Sequence, residues 1–267
     1  MSNSVADSRT YATSLLKGLK ILSLFSRERP VWGTTELSLA VQVAKSTISR
    51  IAHTLEAEGF LVRDASTERY RLGVRLWELG CVAIDDSTGF QEKVRSYLQD
   101  IVLNTQESAQ AGILDGLEVV YVDKVDARQS LRPYTTLGAR FPAHCTATGR
   151  VLLGYQPDSV ITKLIRKGLR RYTDRTIVNG AKLREELARV RAQGFAINRG
   201  EWREDIGGIA VPVRDRTGAV IGALGVTIPL TRFPKGIVPP MVKAVLKAAE
   251  NLSRQLGYLG EKKVSAR

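Results

Sequence analysis

Residue types that bind phosphates and base edges lie on one side of the stretch AKSTISRIAHTLEAEGFLVRD, residues 44–64. Cations and short hydroxyl side chains share that side, and the acids Glu56 and Glu58 occur only towards its far end. A helix that merely faces solvent usually mixes glutamate with lysine. The pattern favours a nucleic-acid-binding surface. Its residues are Lys45, Ser46, Thr47, Ser49, Arg50 and His53, of which His53 is equally well interpreted as a solvated ring.

Three predicted helices position these side chains. The segment TSLLKGLKILSLF, residues 13–25, has apolar residues at helical spacing, and a short helix TELSLAV follows the break at Pro30 and Gly33. The third helix carries the surface described above. Its apolar side consists of Ile48, Ile51, Ala52 and Leu55. A short helix, a tight turn and a longer helix make a helix-turn-helix, whose second helix enters the major groove of DNA.

A predicted hairpin follows the third helix. FLVRD and RYRLG give two short strands in which apolar residues alternate with arginines, separated by the polar turn ASTE. A basic hairpin after a recognition helix is a wing. Arg69 and Arg71 are therefore expected to bind the phosphate backbone or the neighbouring minor groove.

Length and composition set the limits of these interpretations. The 267 residues suffice for two ordinary domains, each with its own core. The formal net charge is +13, but residues 1–75 carry only +4 of it, so charge alone does not locate a DNA-binding surface. No apolar run reaches the roughly 18 residues of a membrane helix, and the polar start with Asp7 argues against a secretory signal. Cys81 and Cys145 lie far apart, so we expect a cytoplasmic protein without disulfides or membrane association.

The second stretch with possible chemistry is PAHCTATGRVLLGY, residues 142–155. Thr146 or Thr148 can cap the helix that follows, and the small residues Ala147 and Gly149 leave its first backbone N–H groups accessible. Helix N-termini bind carboxylates and phosphates readily, so a small organic acid would suit this position. A plain helix cap that binds no ligand is the alternative interpretation.

Residues for enzymatic chemistry are not evident. His144 and Cys145 are neighbours, but adjacent residues of an extended loop point to opposite sides, and no acid follows at a recognisable spacing. The chain has only two histidines, which argues against a histidine-based metal site. The sequence therefore predicts no catalytic residue, no metal and no cofactor.

Taken together, these segments resemble the isocitrate lyase regulator (IclR) family of bacterial transcription factors. The resemblance rests on the helix-turn-helix and hairpin segments quoted above and on LGARFPAHCTATGRVLLGY, YTDRTI, LARVRAQGFAINRGEW and IGGIAVPVRDRTGAVIGALGVTIP. It spans residues 13–257. One departure is the turn of the helix-turn-helix, where family members often have glycine and proline and this chain has Gln42 and Ala44.

The resemblance implies an α+β protein with four parts. These are a flexible tail (1–12), a winged helix-turn-helix domain (13–73), a linker helix (74–89) and a GAF-like effector-binding and oligomerisation domain (90–260) with a six-stranded antiparallel sheet. The effector-binding positions of the family correspond to Phe141, Ala147, Thr148, Asn198, Ile206, Gly208, Gly225 and Thr227, and the accessible helix start adds Gly149.

Two of these positions differ from common family residues. Asn198 stands where an acid is frequent, and Gly208 stands where a cysteine is frequent. We expect both differences to enlarge the pocket and change its polarity. The resemblance then implies a ligand bulkier than a two- or three-carbon acid, such as an aromatic acid or a related amide.

The sequence thus predicts a ligand-responsive transcriptional regulator, a homodimer or homotetramer that binds palindromic operator DNA. Repression and activation use the same fold, because the outcome depends on where the operator lies relative to a promoter. Two alternatives stay open. An architectural DNA-binding protein would use its C-terminal domain only to oligomerise and would fill its core, and an enzyme domain fused to a DNA-binding module would turn over its ligand.

Overall fold

The computed structural model describes residues 12–26, 28–84, 89–129 and 136–260. The chain divides into two compact units, Met1–Asp85 and Asp86–Arg267, which have separate hydrophobic cores. The predicted tail lies outside the described residues except for Ala12, and so do residues 85–88 of the predicted linker helix.

The first unit has the predicted helix-turn-helix followed by a small antiparallel sheet. Its described elements are α1 (Thr13–Leu22), α2 (Thr34–Val41), α3 (Lys45–Ala57), β1 (Leu61–Arg63), β2 (Tyr70–Leu72) and α4 (Arg75–Ile84). β1 pairs with β2, and Trp32 adds a bridge on the other side of Tyr70 through two backbone hydrogen bonds of 3.0 and 2.8 Å. α4 lies where the linker helix is predicted.

The core of this unit joins the three helices to the hairpin. It consists of Ile21, Trp32, Leu37, Ile48, Ala52, Leu61 and Tyr70. α1 contributes Ile21, whereas its apolar residues Leu15 and Leu19 are exposed. Further exposed apolar side chains lie in and next to α4. They are Val74, Trp77, Leu79 and Val82. This unit therefore has apolar surface that its own core does not cover.

The turn between α2 and α3 contains a left-handed residue. Gln42 caps α2 with φ 58° and ψ 48°, and its N–H donates to Ser38 O. The Ser38 hydroxyl donates to Val43 O at 2.7 Å and closes the turn. Glycine adopts this conformation freely, whereas other residues are less stable in it by roughly 1–2 kcal/mol. The departure from the family pattern at Gln42 therefore falls on a strained backbone position.

The second unit is an antiparallel sheet between two layers of helices. Its described helices and strands are α5 (Phe90–Thr105), β3 (Ser108–Asp115), β4 (Glu118–Val125), β5 (Arg140–Pro142), α6 (Ala147–Gly154), α7 (Asp158–Lys167), α8 (Gly180–Gln193), β6 (Ala196–Arg199), β7 (Ile206–Arg214), β8 (Val220–Pro229) and α9 (Val238–Gln255). The strand order is β5-β4-β3-β8-β7-β6, and every neighbouring pair is antiparallel. The predicted six-stranded sheet and α+β class are confirmed.

Side chains of different size cover the two faces of this sheet. On β7, Ile209, Val211 and Val213 belong to the core beneath α5 and α9, whereas Ala210 faces α6. β8 repeats this alternation, because successive residues of a strand point to opposite faces. Small residues on the α6 side let the start of this helix approach the sheet, and the candidate ligand cavity lies there.

Candidate functional site

The predicted DNA-binding residues share the solvent side of α3. Ile48 and Ala52 are buried on its other side. Lys45, Ser46, Ser49, Arg50 and His53 are exposed, and Thr47 is half-buried. The structure therefore places the α3 residues of the predicted set on one side of the helix, where the cations and all the hydroxyls but that of Thr47 are exposed.

The start of α3 is open to anions. Its N-cap, Ala44, has no capping side chain, and the first turn contains no acid. Lys45 and Arg50 form no ion pair with any residue that the structure describes. His53 Nδ1 lies 3.6 Å from Glu56 Oε2, an ion pair only when the ring is protonated. This helix end can bind a phosphate through its backbone N–H groups and its dipole.

The wing offers fewer free cations than expected, because Arg69 is engaged within the unit. Its Nη2 lies 2.7 Å from Glu36 Oε2, and Glu36 Oε1 lies 2.9 Å from Arg29. Glu36 also accepts the Gly33 N–H at 2.7 Å, and this hydrogen bond and the two arginines hold its pKa below its usual range. Arg69 therefore ties the hairpin to α2. Arg71 is exposed and unpaired among the described residues.

A cavity of about 50 Å³ lies between the sheet and the start of α6. Seven of the nine predicted effector-binding residues line it, namely Phe141, Ala147, Thr148, Asn198, Ile206, Gly208 and Thr227. The other lining residues are Gln110, Tyr121, Thr146, Trp202, Arg203, Gly207 and Val226. Gln110 and Tyr121 belong to strands whose register brings them next to β8 and α6, and no local motif marks them.

The cavity has an aromatic wall and a polar floor. The rings of Tyr121 and Phe141 lie 5.1 Å apart, and Trp202 meets Phe141 edge-on at 4.9 Å. On the floor, Gln110 Nε2 donates to the Thr227 hydroxyl, and the Tyr121 hydroxyl lies 3.5 Å from that of Thr148. Burial raises the pKa of Tyr121, so this phenol stays neutral and can donate a hydrogen bond.

The start of α6 supplies hydrogen-bond donors to this cavity. Thr146 is the cap, because its Oγ1 accepts the Gly149 N–H at 3.1 Å and donates to Pro142 O at 3.2 Å. The backbone N–H groups of Ala147 and Thr148 form no hydrogen bond within the described part of the chain. Two unused donors at the positive end of a helix make an anion-binding position.

Two predicted effector-binding glycines do not line the cavity. A Cβ at Gly149 would lie 2.2 Å from Ala143 O, so this residue packs against the preceding loop, and its N–H is occupied by Thr146. A Cβ at Gly225 would lie 3.3 Å from Thr148 Oγ1, so this residue makes room for the threonine side chain. Close packing that the sequence does not reveal keeps both glycines out of the cavity lining, and their part in effector binding stays a prediction.

Asn198 lines the cavity, but both polar atoms of its side chain already form hydrogen bonds within the protein. Its Nδ2 donates to Cys145 O, and its Oδ1 accepts the Gly200 N–H at 3.1 Å. A side chain at Gly208 would meet Val226 O at 2.7 Å, so the backbone of β8 limits that position. The cavity volume of about 50 Å³ is the space of only a few water molecules. The enlargement relative to other family members stays a prediction.

A buried arginine connects both walls of the cavity. Arg150 is 1% exposed, and it donates to His144 O at 3.1 Å and to Ile197 O at 3.3 Å. Its Nη1 lies 3.4 Å from Glu186 Oε1, and its Nη2 lies 3.1 Å from Glu201 Oε1, an ion pair without hydrogen-bond alignment. Glu201 precedes Trp202, so this cation fixes the position of the aromatic wall relative to α6.

His144 and Cys145 are not arranged for nucleophilic catalysis. His144 Nε2 lies 3.0 Å from Arg170 O, and burial lowers the pKa of this imidazole. Cys145 Sγ lies 3.8 Å from Pro142 O, and burial raises the pKa of this thiol to about 12. A thiol with that pKa is a poor nucleophile. Within the described ranges, no group of three or more histidine, cysteine, aspartate or glutamate side chains is placed to hold a metal ion.

Comparison with known families agrees with this geometry. A family model described as the bacterial transcriptional regulator IclR C-terminal domain matches residues 83–254, and the IclR helix-turn-helix domain matches residues 14–65. The chain belongs to the IclR family. The transcriptional regulator KdgR of Escherichia coli strain K12 is 35% identical to this IclR protein over 251 residues, which cover 92% of this chain and 93% of KdgR.

Solved structures share the IclR architecture described above. The IclR of Thermotoga maritima superimposes with a TM-score of 0.76 at 26% identity, covering 93% of this chain and 100% of the other. An IclR homologue from Microbacterium hydrocarbonoxydans, crystallised with 4-hydroxybenzoate, has a TM-score of 0.81 at 24% identity and covers 91% and 98% of the two chains. At 24% identity, the similarity to the Microbacterium protein shows only that the fold is shared. No described helix of this IclR protein is both long and apolar enough to cross a membrane.

Proposed function

We propose that this transcriptional regulator responds to a small organic acid bound at the start of α6. The ligand's carboxylate accepts hydrogen bonds from the N–H groups of Ala147 and Thr148 and interacts with the positive end of the helix dipole. The observation that carries this proposal is the pair of unused N–H groups in the lining of a cavity. Phe141 and Trp202 supply an apolar wall for the rest of the ligand.

The aromatic-acid class predicted from the sequence stays the preferred one. The ligand of the Microbacterium homologue, 4-hydroxybenzoate, is an acid of this class. The observed cavity is small, so an aromatic ring requires Phe141 or Trp202 to move. Both side chains are half-buried, which leaves them room to do so.

We infer that α3 contacts the major groove of the operator. Lys45, Arg50 and the exposed hydroxyls of the helix bind phosphates and base edges, Arg71 binds the backbone, and Arg69 holds the wing in place. The exposed apolar residues of α1 and α4 support association of two copies, which would present paired recognition helices to a palindromic operator.

The effector acts by binding one arrangement of the protein better than another. Its influence on DNA affinity equals its differential affinity for the DNA-competent and DNA-incompetent arrangements. A purely architectural protein would have a filled C-terminal core, and the cavity at α6 argues against that alternative.

The test is a titration of the purified protein against the DNA upstream of its own gene. Salt is fixed, since phosphate neutralisation dominates the affinity, and small aliphatic and aromatic acids, including benzoate and 4-hydroxybenzoate, are added in turn. We expect one acid to change the affinity several-fold. Specific DNA binding that no acid of either class changes would contradict the acid effector and leave the DNA-binding assignment intact.

A matched pair of variants locates the effector site. Thr148→Val removes a hydroxyl from the cavity lining, and Thr162→Val removes one from α7, outside the lining. Thr148→Val is expected to keep DNA affinity and to require about tenfold more acid for the same response, equivalent to about 1.4 kcal/mol. An unchanged response would remove Thr148 from the effector site.

A further inference from the structure

A dense group of cations lies on α7 and the loop after it, outside the cavity lining. We name it the basic stripe, and it consists of Lys163, Arg166, Lys167, Arg170, Arg171 and Arg175. All six side chains are exposed. The same stretch, residues 163–175, contains a single carboxylate, Asp174. The local excess of positive charge is therefore much higher than the chain average.

The cations of the basic stripe lack the carboxylate partners that several other arginines of the second unit have. Arg140 pairs with Asp115 elsewhere in the unit, and Arg95 lies 2.5 Å from Asp123. No residue of the basic stripe forms an ion pair with a residue that the structure describes. Its charge is available to an external anion.

The helix dipole accounts for only some of the cations in the basic stripe. Arg166 and Lys167 lie in the last turn of α7, where cations stabilise the negative end of the helix dipole. Lys163 lies a turn earlier, on the same side of the helix. The three loop arginines lie beyond the helix end, so the dipole does not account for them.

The loop that carries these arginines is held in place by hydrogen bonds. Arg170 O lies 3.0 Å from His144 Nε2, and Arg175 Nη1 donates to Arg199 O at 3.2 Å. Thr173 Oγ1 donates to Gly200 O at 2.7 Å, and Thr176 Oγ1 donates to Glu201 O at 2.6 Å. An anchored loop loses little conformational entropy when it binds a partner.

We propose that the basic stripe binds the sugar-phosphate backbone of duplex DNA outside the bases contacted by α3. Arginine matches phosphate geometry with two hydrogen bonds, and four of the six cations are arginines. Duplex DNA presents a charge about every 1.7 Å, so a row of cations finds phosphates in any register. A protein partner would instead need carboxylates at matching positions. Binding through α3 also raises the local concentration of neighbouring phosphates.

A charge-removal variant with a matched control tests this proposal in the full chain. Lys163→Gln, Arg166→Gln and Lys167→Gln are combined in the test variant, and Lys235→Gln, Lys243→Gln and Lys247→Gln in the control. All six positions are exposed. Affinity for random-sequence duplexes of about 20 and about 60 base pairs is measured over a range of salt, where each phosphate contact contributes roughly 0.9 to the slope of log affinity against log salt.

The test variant is expected to lose several-fold affinity on the longer duplex. Its salt slope there should fall by about 2–3, the value for three lost phosphate contacts. The control, and every protein on the shorter duplex, should change little. Unchanged binding of the test variant on both lengths overturns the proposal, and this is also the result expected if the true partner were an acidic protein.

Two other results would also overturn it. An equal loss in the control would show a general effect of net charge, and an equal loss on both duplexes would place the stripe on the DNA that α3 contacts. Arg170→Gln combined with Arg171→Gln repeats the test from the loop, and thermal melting checks that each variant is folded. This proposal rests on DNA binding by α3. If the basic stripe does not bind DNA, DNA binding through α3 and the response to the acid are unaffected, so this outcome is distinguishable from failure of the proposed function.

Discussion

At the scale of single residues, the fold decides which cations of the first unit are free to bind DNA. Arg50 has no ion-pair partner among the described residues, whereas Arg69 shares Glu36 with Arg29. The two arginines look equivalent in the sequence. Their environments give them different expected roles, a DNA contact for Arg50 and a brace between hairpin and α2 for Arg69.

Arg50→Ala is expected to weaken binding to the DNA upstream of the protein's own gene by about 1–3 kcal/mol. If Arg50 contacts a guanine, the preference at one base pair is lost as well. The measurement is a binding titration at fixed salt against that DNA and its single-base variants. The same loss on every sequence would make Arg50 a phosphate contact instead.

Arg69→Ala is the matched control for this variant. Because an exposed ion pair contributes little to stability, only a small loss of stability and affinity is expected. A larger loss of affinity for Arg69→Ala than for Arg50→Ala would contradict the assigned roles and return Arg69 to the DNA-binding surface.

At the scale of elements, a buried cation fixes the position of α6. Arg150 connects this helix to α8 through Glu186 and to the loop before β7 through Glu201. Buried charges remain stable only with partners of opposite sign. The open helix start and the aromatic wall are therefore held in one geometry by a residue that does not line the cavity.

Arg150→Met should lower the free energy of unfolding by about 3–5 kcal/mol, because it leaves buried carboxylates without their cation. Urea denaturation measures the change. Arg184→Met is the control, since Arg184 pairs with Asp158 on the surface and should contribute little to the free energy of unfolding. Similar small losses in both variants would show that the buried network is not important for stability.

At the scale of the whole molecule, the structure predicts a dependence of stability on pH. His144 is buried, and its pKa is lowered from the usual 6.5, chiefly by loss of solvation, with a further contribution from Arg150. Between pH 6.5 and the folded-state pKa, the unfolded chain binds more protons than the folded chain. The free energy of unfolding therefore falls as pH drops below about 6.5, by at most about 1.4 kcal/mol per pH unit from this group.

Urea denaturation at pH 7.5 and pH 5.5 measures this dependence, with two histidine variants for comparison. His144→Asn should remove the decrease between the two pH values. His53→Asn should retain it, because His53 is exposed on α3. A decrease that survives in His144→Asn, or disappears in His53→Asn, would assign the effect to other groups.

Local sequence patterns were sufficient to predict several helices and strands of this protein. Apolar residues at helical spacing predicted α1 and α3, and apolar residues alternating with arginines on either side of a polar turn predicted the β1–β2 hairpin, as observed. These features depend on neighbouring residues in the chain. Local steric preferences and the burial of one side of each element are sufficient to specify them.

Only the tertiary structure decided which side chains meet. Gln110, Tyr121 and Thr227 come from three strands, and the register of the sheet brings them beneath the start of α6. The engagement of Arg69 by Glu36 and the packing of Gly149 against Ala143 likewise join residues through three-dimensional contacts. The sequence alone gives the chemical types and the elements. Distances, burial and hydrogen-bond partners depend on how the elements pack, and these decide whether a charge, an amide or a glycine is free to bind a ligand.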